Sequence, residues 1–79
     1  MKGGNNMAVK TDVPTMQMFY WIGSYIQING YPPSIRDIKE GLGYHSTSAV
    51  VYVLRRLRED GYITWVEHKS RTITLTKPL

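Results

Sequence analysis

The side chains best suited to chemistry in this sequence are hydroxyl groups and cations, and they fall in two short segments. Residues 46–58 combine serine and threonine hydroxyls with three arginines, and residues 67–71 bring histidine, lysine, serine and arginine together. Cations and hydroxyls donate hydrogen bonds to nucleic-acid phosphates, while hydroxyls and methyl groups contact base edges. The two segments therefore indicate a nucleic-acid partner, provided that the fold brings them to one surface.

The same residues argue against an enzyme or a metal protein. The chain has no cysteine and only two histidines, His45 and His68, with no HExxH or GxSxG spacing. The segment Gly41-Leu42-Gly43 has glycines spaced as in a dinucleotide-binding loop, but it follows a helical pattern instead of a strand. We interpret it as a helix end. We expect no catalytic residue, no metal, no cofactor and no small-molecule substrate.

Charge and length narrow the function further. Ten Lys and Arg against six Asp and Glu give +4, and residues 46–79, with six cations and three acids, hold +3 of it. A chain of 79 residues can bury one small core. The uncharged run 13–35 is interrupted by prolines and polar residues, so we expect no membrane span. We expect a cytoplasmic protein that associates with a bacterial or phage nucleoid.

The domain is expected to cover residues 12–79. Residues 1–11 are rich in glycine, asparagine and lysine, have no apolar periodicity and offer no secretory signal, so we interpret them as a flexible tail. Asp12 is a suitable N-cap for a first helix over residues 13–28, which Asn29-Gly30 would end. The apolar residues of that helix recur at helical spacing, at Met18, Phe19, Ile22 and Ile26.

Two further helices follow a proline-containing turn. Pro32-Pro33 stops the first helix, and Ser34 with Asp37 has the spacing of a capping box that begins the second. Gly43 suits the left-handed end of this helix, and Ser46 caps a third helix that Asp60-Gly61 closes. The predicted buried residues are Ile35, Ile38 and Leu42 on the second helix and Val50, Val53, Leu54 and Leu57 on the third.

The end of the chain is predicted to form an antiparallel hairpin. Residues 62–66 and 71–76 are rich in β-branched and aromatic residues, and residues 67–70 form a short polar connection, with Ile73 and Leu75 facing the helices. Three helices followed by a hairpin wing define an α+β, mainly α, winged helix-turn-helix. In that arrangement the second helix of the pair enters the major groove of double-stranded DNA.

The outward side chains of the third helix and the wing are the candidate contacts. Residues early in a reading helix meet bases, and later arginines reach phosphates. The predicted base-reading residues are Ser46, Thr47, Ser48, Val51 and Tyr52. The predicted backbone contacts are Ser34, Arg55, Arg56, Arg58, His68, Lys69, Ser70 and Arg71. The alternatives are that Tyr52 packs on the first helix or hairpin, that Arg55 pairs with Glu59, and that the hairpin tip is merely solvated.

The segment GYPPSIRDIKEGLGYHSTSAVVYVLRRLREDGYI, followed by the hairpin with Ser70-Arg71 near its tip, resembles the N-terminal winged-helix domain of the LexA repressor family. The resemblance covers residues 12–75, and the Gly-x-Pro-Pro turn is its most specific part. It implies a transcriptional regulator of the repressor type. It also places the base-reading sites of the family on Ser46, Ser48, Ala49, Val51 and Tyr52.

Two departures from that family shape the expected function. Its reading helix typically carries an asparagine and paired glutamates, where this chain has Ser48, Val51 and Tyr52, so we expect a different operator. The 79 residues also include no Ser-Lys self-cleaving domain, so we expect neither autoproteolysis nor its dimer interface. A domain this small would bury only about 600 to 1,000 Å² on DNA, so tight binding is expected to need a homodimer or a larger partner. The alternative function is a winged-helix adaptor that binds protein.

Overall fold

The computed structural model describes residues 13–79, and the tail and the proposed Asp12 cap lie outside this range. Three helices, α1 Val13–Asn29, α2 Ile35–Leu42 and α3 Thr47–Glu59, precede strands β1 Ile63–Thr64 and β2 Thr74–Leu75. This confirms the predicted winged helix-turn-helix. None of the helices in this range is long and apolar enough to cross a membrane.

The core lies where the three helices and the hairpin meet. Phe19 of α1 packs edge-on against Tyr62, with ring centroids 5.1 Å apart, and this contact joins α1 to the start of the hairpin. The ten buried hydrophobic side chains of the described residues are Met18, Phe19, Ile22, Ile38, Val50, Val53, Leu54, Leu57, Ile63 and Ile73. All four residues predicted to be buried on α3 are in this set. Ile26 and Leu42 are half-buried against it.

The start of α2 is fixed by the predicted capping box. The Ser34 hydroxyl accepts a hydrogen bond from the Asp37 backbone N–H at 3.0 Å, and the Asp37 carboxylate accepts one from the Ser34 backbone N–H at 3.0 Å. The prediction that Ile35 is buried is wrong, because its side chain is 38% exposed. Ile35 lies in the first turn of α2, beside an open cleft next to the hairpin, whereas Ile38 lies one turn later against the core.

The turn between α2 and α3 depends on a left-handed glycine. Gly43 has φ +75°, and the Tyr44 N–H donates to the Lys39 carbonyl at 2.9 Å, which closes the last turn of α2. The Ser46 hydroxyl then accepts from the Ala49 N–H at 3.2 Å and begins α3. The short connection sets the angle between the two helices.

The hairpin, residues 62–76, is called the wing, and its strands are shorter than predicted. Only Ile63 with Leu75 and Thr64 with Thr74 pair as strand residues. Beyond Thr64, the Val66 N–H donates to the Thr72 hydroxyl at 3.0 Å instead of to a strand carbonyl. His68 and Arg71 also have positive φ, +64° and +56°, which no regular strand can contain. Ile73 and Leu75 face the helices as predicted, buried and half-buried respectively.

Candidate nucleic-acid interface

The outward side of α3 presents the predicted base-reading residues together. We call Ser46, Thr47, Ser48, Ala49, Val51 and Tyr52 the reading face. Thr47, Ser48, Val51 and Tyr52 line one shallow depression with Arg55, and none of these five side chains is acidic. Ala49 is half-buried, and the Ser46 hydroxyl, although it accepts the hydrogen bond of the cap, keeps its own proton to donate.

Tyr52 projects from this face into solvent. Its side chain is 64% exposed, so the ring does not pack on α1 or on the wing. Within residues 13–79 its hydroxyl has no hydrogen-bond partner. Val51, by contrast, is half-buried and shows only part of its side chain. The two residues therefore offer a hydroxyl on a rigid ring beside a methyl surface, a combination that suits base edges in a groove.

The three arginines of α3 have different surroundings. Arg55 is exposed and, among the described residues, makes no hydrogen bond or ion pair, so the alternative pairing with Glu59 is absent. Arg56 is half-buried and is not free. Arg58 donates to the Glu67 carboxylate at 2.9 Å, and its guanidinium carbon lies 3.9 Å from the Trp65 ring centre. Within residues 13–79, Arg55 is thus the one arginine of α3 without a hydrogen bond or ion pair, and it lines the same depression as the reading face.

The wing tip presents three exposed polar side chains, those of His68, Lys69 and Ser70. The Thr72 hydroxyl holds the tip from inside, because it donates toward the Lys69 carbonyl at 3.1 Å and the Val66 carbonyl at 3.3 Å. Within the described part of the chain, the Lys69 ammonium makes no ion pair. Lys69 is thus the free cation of the wing.

Arg71 is held by groups from α1, from the turn before α2 and from the first turn of α2. Its Nη1 lies 2.9 Å from the Asp37 carboxylate, 3.2 Å from the Pro32 carbonyl oxygen and 3.4 Å from the Tyr25 hydroxyl. Its guanidinium carbon lies 5.2 Å from the Tyr31 ring centre. We call these five residues the Arg71 cluster. Ser34, another predicted backbone contact, borders it as the half-buried cap of α2.

The ionisation of the carboxylates follows from these contacts. The backbone N–H of Ser34 is the main cause that lowers the pKa of Asp37, helped by the Tyr25 hydroxyl and the charge of Arg71. The hydrogen bond from Arg58 lowers the pKa of Glu67 in the same direction. Both acids are therefore stabilised as anions, each beside an arginine that sequence reasoning assigned to DNA phosphates.

A cleft of about 360 Å³ separates α3 from the wing. The apolar residues Ile35, Val51, Leu54 and Trp65 are among those that line it, together with charged residues of the wing tip. The sequence analysis did not predict that Trp65, Glu67, Asp37 and Tyr25 bind the two arginines that hold the wing, Arg58 and Arg71. The only available signal was that Glu67 is the single acid in the hairpin; nothing in the sequence pairs Asp37 with Arg71.

The described residues contain no group of three or more histidine, aspartate or glutamate side chains that could hold a metal ion. What the arrangement can do is bind a polyanion and contact groove edges. The reading face, Arg55 and the wing tip are next to one another around the cleft. Val51 and Arg55 line both the cleft and the depression on α3.

Comparison with known proteins places these features in a family. The family profile described as the LexA DNA binding domain matches residues 15–72. The LexA repressor of Moorella thermoacetica is 47% identical over 58 residues, which are 73% of this chain and 28% of that protein. The LexA repressor of Clostridium botulinum (strain Hall) is 37% identical over 62 residues, 78% of this chain and 31% of that protein. The transcription regulator LexA of Synechocystis sp. is 34% identical over 59 residues, 75% of this chain and 29% of that protein. The chain thus spans less than a third of the length of these relatives.

Proposed function

Because this chain belongs to the family of LexA DNA-binding domains, we propose that it binds double-stranded DNA in a sequence-specific manner and regulates transcription as a repressor. The observation that supports the proposal most strongly is the continuity of the reading face with Arg55 and the wing tip. A protein adaptor needs no cations on both elements, whereas a DNA duplex offers phosphates to both.

In this proposal α3 lies in the major groove. The groove is about 12 Å wide and admits one helix, whose first residues meet base edges. The hydroxyls of the reading face donate to or accept from base edges, and Val51 and Ala49 contact thymine methyl groups. Arg55, one turn after Val51, reaches a phosphate at the groove edge. The half-buried Arg56 contacts the backbone of the same DNA strand in this proposal.

The wing lies against the neighbouring backbone or minor groove. Lys69 supplies the charge, and His68 and Ser70 add hydrogen-bond donors at the tip. Arg58 and Arg71 form ion pairs at the protein surface, with Glu67 and Asp37 respectively. We therefore leave them out of the phosphate-binding set, although their residue type alone suggested it.

Tight binding is proposed to use more than one copy. A single module of this size buries about 600 to 1,000 Å² on DNA, so a second half-site occupied by a homodimer, or a larger protein partner, supplies the remaining affinity. The proposal also includes association with the bacterial or phage nucleoid, where double-stranded operators are found.

Selection of bound duplexes from a randomised pool tests this function. The selected duplex is then titrated by fluorescence anisotropy at several salt concentrations. We expect one enriched motif, and log K should fall with log salt by about 0.9 per phosphate neutralised. Salt-dependent binding without enrichment would contradict base reading. Absence of binding at low salt would contradict the DNA proposal and favour an adaptor that binds protein through Val51 and Tyr52.

A further inference from the structure

One carboxylate oxygen ties together three parts of the fold that are far apart in sequence. The Asp37 Oδ2 atom accepts from the Ser34 N–H at 3.0 Å, from the Tyr25 hydroxyl at 3.1 Å and from Arg71 at 2.9 Å. These donors belong to the α2 cap, to α1 and to the wing. The Arg71 cluster is therefore the point where the end of the wing tip is fastened to the helices.

The charge of Arg71 is already paired with a carboxylate in this arrangement, through its Nη1 atom. Its Nη1 is shared among a carboxylate, a carbonyl and a hydroxyl, and the Tyr31 ring lies 5.2 Å from its guanidinium carbon. The Tyr25 hydroxyl and the Asp37 charge both raise the pKa of Arg71, so the group stays charged in this setting. A phosphate that approached the exposed part of this guanidinium would also approach the Asp37 carboxylate, which already balances its charge.

The backbone of the tip needs an external hold. Both His68 and Arg71 have positive φ, a conformation that costs energy in residues with a side chain. The wing has only two pairs of strand residues, which alone give a hairpin little stability. Arg58 fastens the side of the wing that leads into the tip, through Glu67. Arg71 fastens the side that leads out of it.

We propose that Arg71 is a wing-positioning residue, which orients Lys69 toward DNA by binding Asp37, and that it does not itself contact phosphate. The inference rests on the proposed function. A duplex must meet α3 and the wing tip at once, so only molecules with a docked wing bind fully. The apparent association constant for DNA is then the intrinsic constant multiplied by the fraction of molecules whose wing is docked.

The Asp37→Asn variant tests this, because the inference and simple electrostatics predict opposite changes in its affinity for DNA. Removal of a negative charge from a DNA-binding protein should leave affinity unchanged or raise it. The loss of the Arg71 anchor should instead lower affinity for the selected duplex by about three- to tenfold. Asparagine can still accept the Ser34 N–H bond, so the start of α2 is largely kept. Circular dichroism and thermal unfolding check that the variant is folded at the assay temperature.

Glu40→Gln is the matched control, because Glu40 is an exposed acid on the same helix and makes no ion pair among the described residues. It should bind as tightly as wild type or more tightly. An equal loss in both variants, or no loss in Asp37→Asn while wild type binds, would overturn the inference and leave the proposed function intact. A wild-type protein that binds no duplex would overturn the proposed function, and the inference with it.

Salt dependence separates positioning from phosphate contact. Lys69→Gln should lower the slope of log K against log salt by about 0.9, as expected for one lost phosphate contact. Arg71→Gln should lower affinity at every salt concentration and leave that slope unchanged. A slope lowered by about 0.9 in Arg71→Gln would show that Arg71 contacts phosphate, and the inference would be wrong.

Discussion

Arg58 at the end of α3 and Glu67 of the wing form an ion pair with 2.9 Å between Nη1 and Oε2, and the same guanidinium covers Trp65 at 3.9 Å. On the other side of the tip, Arg71 pairs with Asp37 at the same distance. Two arginine–carboxylate pairs thus hold the wing, one to the reading helix and one to the start of α2. The wing position is coupled to both helices of the helix-turn-helix.

These pairs predict that the protein loses stability in acid. The pKa values of Asp37 and Glu67 are lowered in the folded state, so their contribution is present above their unfolded pKa values, near 4. It is lost as the pH falls through the folded values, because the unfolded chain then binds more protons. Urea unfolding between about pH 6 and pH 2 should show the unfolding free energy decreasing below about pH 4.5.

The unfolding free energy of the double variant Asp37→Asn, Glu67→Gln should depend less steeply on pH in the same range. The difference in unfolding free energy between this variant and wild type should be smallest at the acid end. The matched control is Glu40→Gln with Glu59→Gln, which removes two exposed acids of α2 and α3. Parallel curves for wild type and the first variant would show that the two pairs do not contribute.

Thr72→Val should destabilise the wing without changing the core. The Thr72 hydroxyl accepts from the Val66 N–H at 3.0 Å and donates to carbonyls of the tip, and valine has the same shape with no hydrogen bond. We expect a loss of about 1 kcal/mol in unfolding free energy, with faster hydrogen exchange at Val66. Thr74→Val is the control, because its exposed hydroxyl makes only a 3.3 Å bond to the Thr72 carbonyl. An equally large loss in both variants would contradict a specific role for Thr72.

Gly43→Ala should destabilise the turn through the backbone alone. Gly43 has φ +75°, and a Cβ there would meet no atom within 4 Å, so no steric clash contributes. The expected cost is about 1 kcal/mol, with about half of it recovered in Gly43→Asn, because asparagine tolerates left-handed backbone. Chemical denaturation of both variants measures this. If alanine and asparagine cost the same, backbone conformation is not the cause.

The sequence was sufficient to predict the elements that local chemistry determines. The Ser34–Asp37 capping box, the Ser46 cap, the Gly43 turn and the buried side of α3 all appear where spacing and residue type predicted them. Such signals act within four residues, so tertiary contacts seldom override them. The same locality explains why the outward face of α3 could be predicted as a surface.

The wing was predicted less well because distant groups shape it. The strand pattern over residues 62–66 and 71–76 predicted longer pairing. Instead, the Thr72 hydroxyl accepts the hydrogen bond of the Val66 N–H, and His68 and Arg71 adopt positive φ. The partners of Arg58 and Arg71 lie 9 and 34 positions away, and no periodicity connects them. Ile35 was misplaced for a similar reason, since its helical phase matched the core while its position at the first turn put it on the cleft.

The reading face predicts a requirement for a thymine methyl group. Val51 lines the depression on α3 and shows part of its side chain beside Tyr52, while carboxylates and carboxamides are absent from the lining. In a selected operator, replacement of the thymine that faces Val51 with deoxyuridine removes one methyl group and leaves pairing intact. Burial of such a group is worth about 0.8 kcal/mol, so affinity should fall about fourfold.

Val51→Ala closes a double-mutant cycle on this contact. The variant should bind the thymine duplex about fourfold more weakly than wild type and should bind the deoxyuridine duplex no more weakly than the thymine one. Deoxyuridine at a thymine outside the selected motif is the control for changes in duplex flexibility. Because a shape effect of the duplex would weaken both proteins equally, a methyl contact is supported only if the two losses are not additive. Fully additive losses would remove Val51 from the base-reading residues and leave the hydroxyls and Arg55 to discriminate the operator.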